Sequence, residues 1–223
     1  LPEGWLGVGA LQRQARATSI QFPVVDLSTL VDSPLLIARH LRSWDVTPAG
    51  ETKKHGFHVA VERPEQLSVP PEMLEYLQKL VRECGRLFGH RPYGHYDWLL
   101  SLSDSYEDDG LEHHQSSDNR MGESALAEPL RRQELADLLA HEYVHVWNGK
   151  YRRPAGLMSS HYQNDLDTRL LWVYEGLTNY WGEVLAVRCG LVSQEWFREQ
   201  LAFQVAQLQG QVGARWRSLE DTA

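Results

Sequence analysis

The chain has 223 residues, 42% hydrophobic and 23% charged, enough for one sizeable buried core or for one domain with part of another. Its net charge of −8 argues against nucleic-acid binding, because no basic stripe is available to displace counterions from phosphates. No apolar run approaches the ~20 residues that a membrane-spanning helix requires.

Residues 1–68 read as mixed strand and loop. Trp5–Ala10, Ser19–Val25 and Gly56–Val61 are β-rich, with period-two alternation in parts. Pro23 makes the middle one an edge strand or a strand end. Asp26–Leu36 reads as a short helical turn followed by a proline-marked restart, and Pro48–Gly56 as a polar turn. The segment is too short and irregular for a complete domain. It is expected to be the C-terminal part of a β-rich N-terminal domain.

Texture changes at Ser68–Glu72, where two prolines precede a run of helix formers. A helix is predicted from Pro71 to about Leu87, with Leu74, Leu77, Leu80, Val81 and Leu87 as its apolar face and Gly89 as its stop. Tyr93–Ser103 reads as a core strand, followed by an acidic loop with Asp104, Glu107, Asp108 and Asp109 that faces water. Gly110–Ser117 is a strand or extended edge, and Arg120–Glu134 a polar connection with a short helix. The two cysteines, Cys84 and Cys189, read as buried thiols.

Leu135, Leu138, Leu139 and Val146 recur at helical spacing, which predicts an amphipathic helix over about 132–148. It carries His141-Glu142-Tyr143-Val144-His145. Residues four apart share a helix face, so His141 and His145 can offer two imidazoles to one metal ion, and Glu142 can reach a water on it. The pattern alone also fits two hydrogen-bonded helix histidines with Glu142 in solvent. A zinc site needs a third protein ligand and an open fourth position. No further histidine follows closely at the required spacing. A second long helix, Thr168–Val187, holds Glu175 among the apolar Leu170, Leu171, Trp172, Val173, Leu177 and Trp181. A glutamate buried there needs a partner, and a zinc ion would be one. A third helix, from a Ser193 cap over Gln194 to about Leu208, sets Trp196, Phe197, Leu201, Val205 and Leu208 on one side.

His141–Asn148 followed by Leu171–Tyr180 closely resembles the glycyl aminopeptidase family of gluzincins, which pairs a His-Glu-x-x-His helix with a glutamate in a Glu-Gly context about thirty residues on. Gly110-Leu111-Glu112-His113 resembles that family's cleft strand, with Asp109 replacing its first glycine. Leu87–His90, Leu1–Trp5 and Leu30–Pro34 are similar to family segments too. The resemblance implies an α+β chain with a thermolysin-like catalytic domain, mainly helical around the zinc, over 69–223 and incomplete at its C-terminus. The end of a β-rich domain would occupy 1–68, and a PDZ module often follows in the family.

Its chemistry would be one Zn2+ on His141, His145 and Glu175, with Glu142 as general base and Glu112 binding the free amino group of a peptide substrate. Gly110, Leu111 and His113 would line the cleft. Asn179, then Glu183, are the expected acceptors that orient the zinc histidines. Related enzymes stabilise the oxyanion with a downstream tyrosine, and no position in 176–223 is assigned to it. Three readings follow: an aminopeptidase removing small N-terminal residues such as Gly or Ala, an endopeptidase with the same metal site, or a catalytically silent peptide-binding module.

Overall fold

The structure, a computed structural model, describes residues 1–11, 14–16, 19–159, 161 and 163–218. Its first part forms two small antiparallel pairs. β1 (Leu6–Gly9) joins β4 (Leu35–Ala38), and β2 (Gln14–Arg16) joins β3 (Ser19–Gln21), which stops before Pro23. Between them Asp26 caps the short helix α1 (Leu27–Val31), its carboxylate accepting from Thr29 N.

The main sheet has five strands: β5 (His40–Asp45), β6 (Lys54–Val61), β7 (His95–Leu102), β8 (Asp109–Glu112) and β9 (Ser116–Met121). Their order is β5-β6-β7-β9-β8. The β6–β7 and β7–β9 pairs are parallel, while β5 and β8 run antiparallel at the two edges. A parallel pair needs a crossover, and α2 (Pro71–Phe88) supplies it between β6 and β7. Central strands are covered on both faces, so β6 and β7 are buried almost throughout. Strands from both sides of residue 68 thus share one sheet.

Helices α3 (Pro129–Val144), α4 (Leu177–Cys189) and α5 (Gln194–Gly210) complete a mixed α+β fold. Trp98, Leu100 and Phe57 of the sheet pack with Met73, Leu77 and Leu80 of α2 and with Leu135, Leu139 and Tyr143 of α3. Buried polar groups of these aromatics fasten α3 by its carbonyls. Tyr76 donates to Ala136 O (2.6 Å), Trp98 Nε1 to Leu139 O (3.1 Å) and Tyr96 to Glu142 O (3.4 Å). Tyr93, Tyr96, Trp98, Tyr143 and Trp147 form one aromatic cluster beneath the helix. Cys84 and Cys189 are both free and buried. No helix among the described residues is long and apolar enough to cross a membrane.

Several elements differ from the sequence reading. α3 begins at Pro129 and gives way to turns after Val144, about four residues before the predicted end. Gly110–Ser117 is not one strand but the hairpin arm β8 and the start of β9. The predicted helix from Thr168 is three pieces: a 3-10 turn Thr168–Leu170, a π-helical segment Trp172–Gly176, and α4. On α5, Trp196 is buried, but Leu201, Val205 and Leu208 face outward. β5 escaped the sequence reading because its exposed Arg42 and Ser43 break any alternation, and β6 is what makes it a strand. The stretch 219–223 lies outside the described residues.

Replacing fully buried Trp98 by alanine removes the core of the aromatic cluster and one anchor of α3. Urea denaturation should show a loss of about 3–5 kcal/mol, and a loss under about 1 kcal/mol would contradict this packing role.

Candidate metal centre

His141 and His145 stand one turn apart at the end of α3, with ring centroids 4.7 Å apart. Their Nε2 atoms are 3.0 Å from each other, and each is 3.4 Å from Glu175 Oε2. A tetrahedral zinc ion at ~2.0–2.1 Å from each donor sets those donors ~3.3 Å apart, so the three atoms fit one ion with little adjustment. The carboxyl of Glu175 is drawn down to about 2 by hydrogen bonds from His141 and His145, against the opposing effect of burial. Glu175 itself is half exposed, not buried as its apolar neighbours suggested, and Leu170, Leu171, Trp172 and Leu177 are exposed with it. A charged ligand at the mouth of a cleft needs no burial.

Glu175 reaches the histidines because the chain before α4 is wound as a π-helix, a local widening often found at functional sites. Asn148, just past α3, clamps that segment. Its Nδ2 lies 2.9 Å from Val173 O, 3.1 Å from Tyr174 O and 2.9 Å from Thr178 Oγ1. The backbone carbonyl of the same residue lies 3.0 Å from His145 Nδ1, and Thr178 Oγ1 lies 3.4 Å from it. A proton donated from Nδ1 to a carbonyl leaves the lone pair on Nε2, facing the other donors. Gly182 lets α4 come close: a Cβ there would lie 3.1 Å from His141 N and Cα.

The expected orienting pair stands elsewhere. Asn179 Nδ2 donates to Glu183 Oε1 (3.3 Å), Gln204 donates to the same oxygen, and neither Asn179 nor Glu183 bonds an imidazole among the described residues. Burial raises the Glu183 carboxyl, and Gln204, Asn179 and the charge of His141 oppose this. Asn148 and Thr178 were missed because a backbone acceptor leaves no mark in side-chain spacing.

Glu142 is 4% exposed. Burial pushes its carboxyl up to about 8; His145 opposes this, and Glu112, Glu175 and Asp109 reinforce it. Its Oε2 has no hydrogen-bond partner among the described residues. Gly110 of β8 lies against it: a Cβ at that position would overlap Glu142 Oε1 and lie 2.7 Å from its carboxyl carbon. Glu112 closes the same group, with oxygen and nitrogen donors of Glu112, Glu142 and His145 within 4.8 Å of one another.

Glu112 is held from two sides. Tyr174 OH donates to its Oε1, and Lys150 Nζ lies 3.9 Å from that oxygen. Lys150 also donates to Asp32 Oδ1 at 3.3 Å. Asp32 further accepts from His114 N and meets its Nδ1, both at 2.7 Å, and lies 3.2 Å from His113 Nδ1. Burial raises the Asp32 carboxyl, but His113, His114 and Lys150 more than reverse this and hold it well below the usual range. His113, expected in the cleft, meets Asp32 through its Nδ1. Leu111 is exposed on the free edge of β8. The role of Lys150 was hidden because its only visible sequence feature was a position past a helix end.

Fold and site together set a candidate metal centre on a mixed α+β scaffold. A crystal structure of an aminopeptidase N family protein from Idiomarina loihiensis superposes with a TM-score of 0.81 at 21% identity, a likeness of fold. The match covers 99% of this chain and 38% of that one. No curated protein matches the sequence. The M61 glycyl aminopeptidase family model matches residues 134–223, which hold His141, His145 and Glu175. Over that C-terminal part the chain is similar to the M61 glycyl aminopeptidase family.

Asn148→Ala removes the clamp on the π-helical segment. Competition with a chelator should show zinc affinity lowered by roughly 10–100-fold, and unchanged affinity would detach the clamp from the donor geometry.

Proposed function

We propose that this chain carries the catalytic centre of a zinc-dependent aminopeptidase that removes small N-terminal residues from peptides. The observation that supports it most is the meeting of His141 Nε2, His145 Nε2 and Glu175 Oε2 beside Glu142 and Glu112. The match of residues 134–223 to a peptidase family model adds to it. The preference for glycine or alanine rests on the family resemblance.

A zinc ion held by His141, His145 and Glu175 would supply a Lewis acid and bring the pKa of water from ~15.7 towards ~7. Glu142, dry and close by, accepts the proton of the attacking water and passes it to the leaving amine. Gly110 keeps the space in which that carboxylate moves. Glu112 takes the substrate's ammonium group, with Tyr174 and Lys150 fixing its orientation. An ionic partner for the free N-terminus selects against blocked peptides, because acetylation would leave Glu112 unpaired. β8 is the last strand of the sheet, so its outer edge can pair with an extended substrate. In this reading the catalytic domain is thermolysin-like and its sheet begins with β5, which places the junction with a β-rich N-terminal domain before His40.

Glycyl and alanyl anilides should be hydrolysed and N-acetylated peptides spared; cleavage of blocked peptides alone would favour an endopeptidase. Glu142→Gln should keep one zinc per chain by metal analysis while turnover falls about 10²–10⁴-fold. Turnover near the parent rate would refute the role given to Glu142. Gly110→Ala should lower kcat about 10²-fold with zinc retained, since misplacing a reacting group by ~1 Å has that effect.

A further inference from the structure

A recess of about 340 Å³ opens between α3, α4 and α5, directly beside His141 and Glu142. Leu138 and Asp137 lie on its α3 side, Glu183 on its α4 side, and Gln200 and Gln204 on its α5 side. Its direction relative to the cleft is set by β8. Glu112 lies by Glu142 and His145, whereas Gly110 lies against Glu142 and Leu138, nearer the start of α3. A peptide held by its amino end at Glu112 and paired with the β8 edge therefore runs past Gly110 toward the recess.

The recess is acidic, with little cationic compensation. Asp137 is pushed up to about 7 by burial and by the charge of Glu183, and no cation opposes this. Among the described residues Glu183 accepts from the amides of Asn179 and Gln204; burial raises its carboxyl, and those amides and nearby His141 oppose this in part. Glu142 lines the same space with its unpartnered Oε2. Glu134, at the rim, is held by Arg131, and that guanidinium is shared with Asp108 at 2.6 Å. Asp109 stands exposed at the head of β8. Carboxylates out of water and without a cation favour a ligand that brings one.

We propose that this recess receives the side chain of the residue following the cut bond, and that it selects lysine or arginine there. The inference rests on the aminopeptidase reading. The substrate class is then a peptide with a small free N-terminal residue followed by a basic one. An acidic second residue is repelled by Asp137 and Glu183.

The test compares glycyl-lysine, glycyl-arginine, glycyl-leucine and glycyl-glutamate amides on the zinc-loaded full-length protein, with glycyl anilide as reference. Lysine and arginine should exceed leucine by about tenfold in kcat/KM, with glutamate below leucine. Calorimetry on the Glu142→Gln protein should give the same order in Kd without turnover. Asp137→Asn combined with Glu183→Gln should bring lysine and leucine within about twofold, the neutralised pair losing its attraction. Gln200→Lys, on the accessible α5 wall, should reverse the order of lysine and glutamate even if that double variant does not fold. Hydrolysis of glycyl anilide with lysine, leucine and glutamate amides within about twofold of one another would overturn this inference alone. No hydrolysis of the anilide or of any amide would overturn the aminopeptidase reading and this one with it.

Discussion

The structure depends on where α3 lies, and α3 is held by hydrogen bonds that water cannot reach. Tyr76 from one side and Trp98 and Tyr96 from another donate to three of its carbonyls, each from a ring that is also packed into the core. A buried side-chain donor left without its acceptor costs roughly 1–3 kcal/mol, so sliding or rotating the helix would strand several at once. The helix therefore has one position along the sheet. Everything of chemical interest is measured from it: two imidazoles at its end, Glu142 between them, and β8 beside Gly110.

A second layer is built from single residues that each hold two things. Asn148 fixes the π-helical segment by its side chain and the His145 ring by its carbonyl. Asp32 ties the β8–β9 turn to Lys150, and Lys150 in turn faces Glu112. Through Asp32, residues before the main sheet help set the position of the strand that borders the cleft.

Much of this was legible in the sequence where a residue type has only one economical use. Two prolines and Gly89 bound α2 because proline starts helices and a positive φ ends them. The His141–His145 spacing placed both rings on one face, and the distance to Glu175 pointed to the following helix. The reason given for Glu175, burial among apolar neighbours, does not hold, since Leu170, Leu171 and Trp172 are as exposed as the glutamate. The β8–β9 turn carries neither glycine nor proline at its tip, so two strands read as one. Outward-facing Leu201, Val205 and Leu208 show that an apolar stripe on a helix reports a preference without naming what satisfies it. The orienting contacts on His145 stayed invisible for a different reason: a main-chain oxygen is the same at every position.

The π-helical segment also fixes an angle. Each residue of an α-helix advances its side chain by about 100°, so one residue more or fewer between Glu175 and the start of α4 at Leu177 swings the carboxylate by roughly that amount about the axis. The widened turn thus works as a phase setting for the Glu175 oxygen that meets the two imidazoles. It separates two requirements that a uniform helix would couple: the seating of Leu185 and Ala186 in the core, and the aim of a carboxylate ten positions earlier. A single-residue insertion between Glu175 and Leu177 would therefore turn the carboxylate away from the two imidazoles while leaving α4 seated.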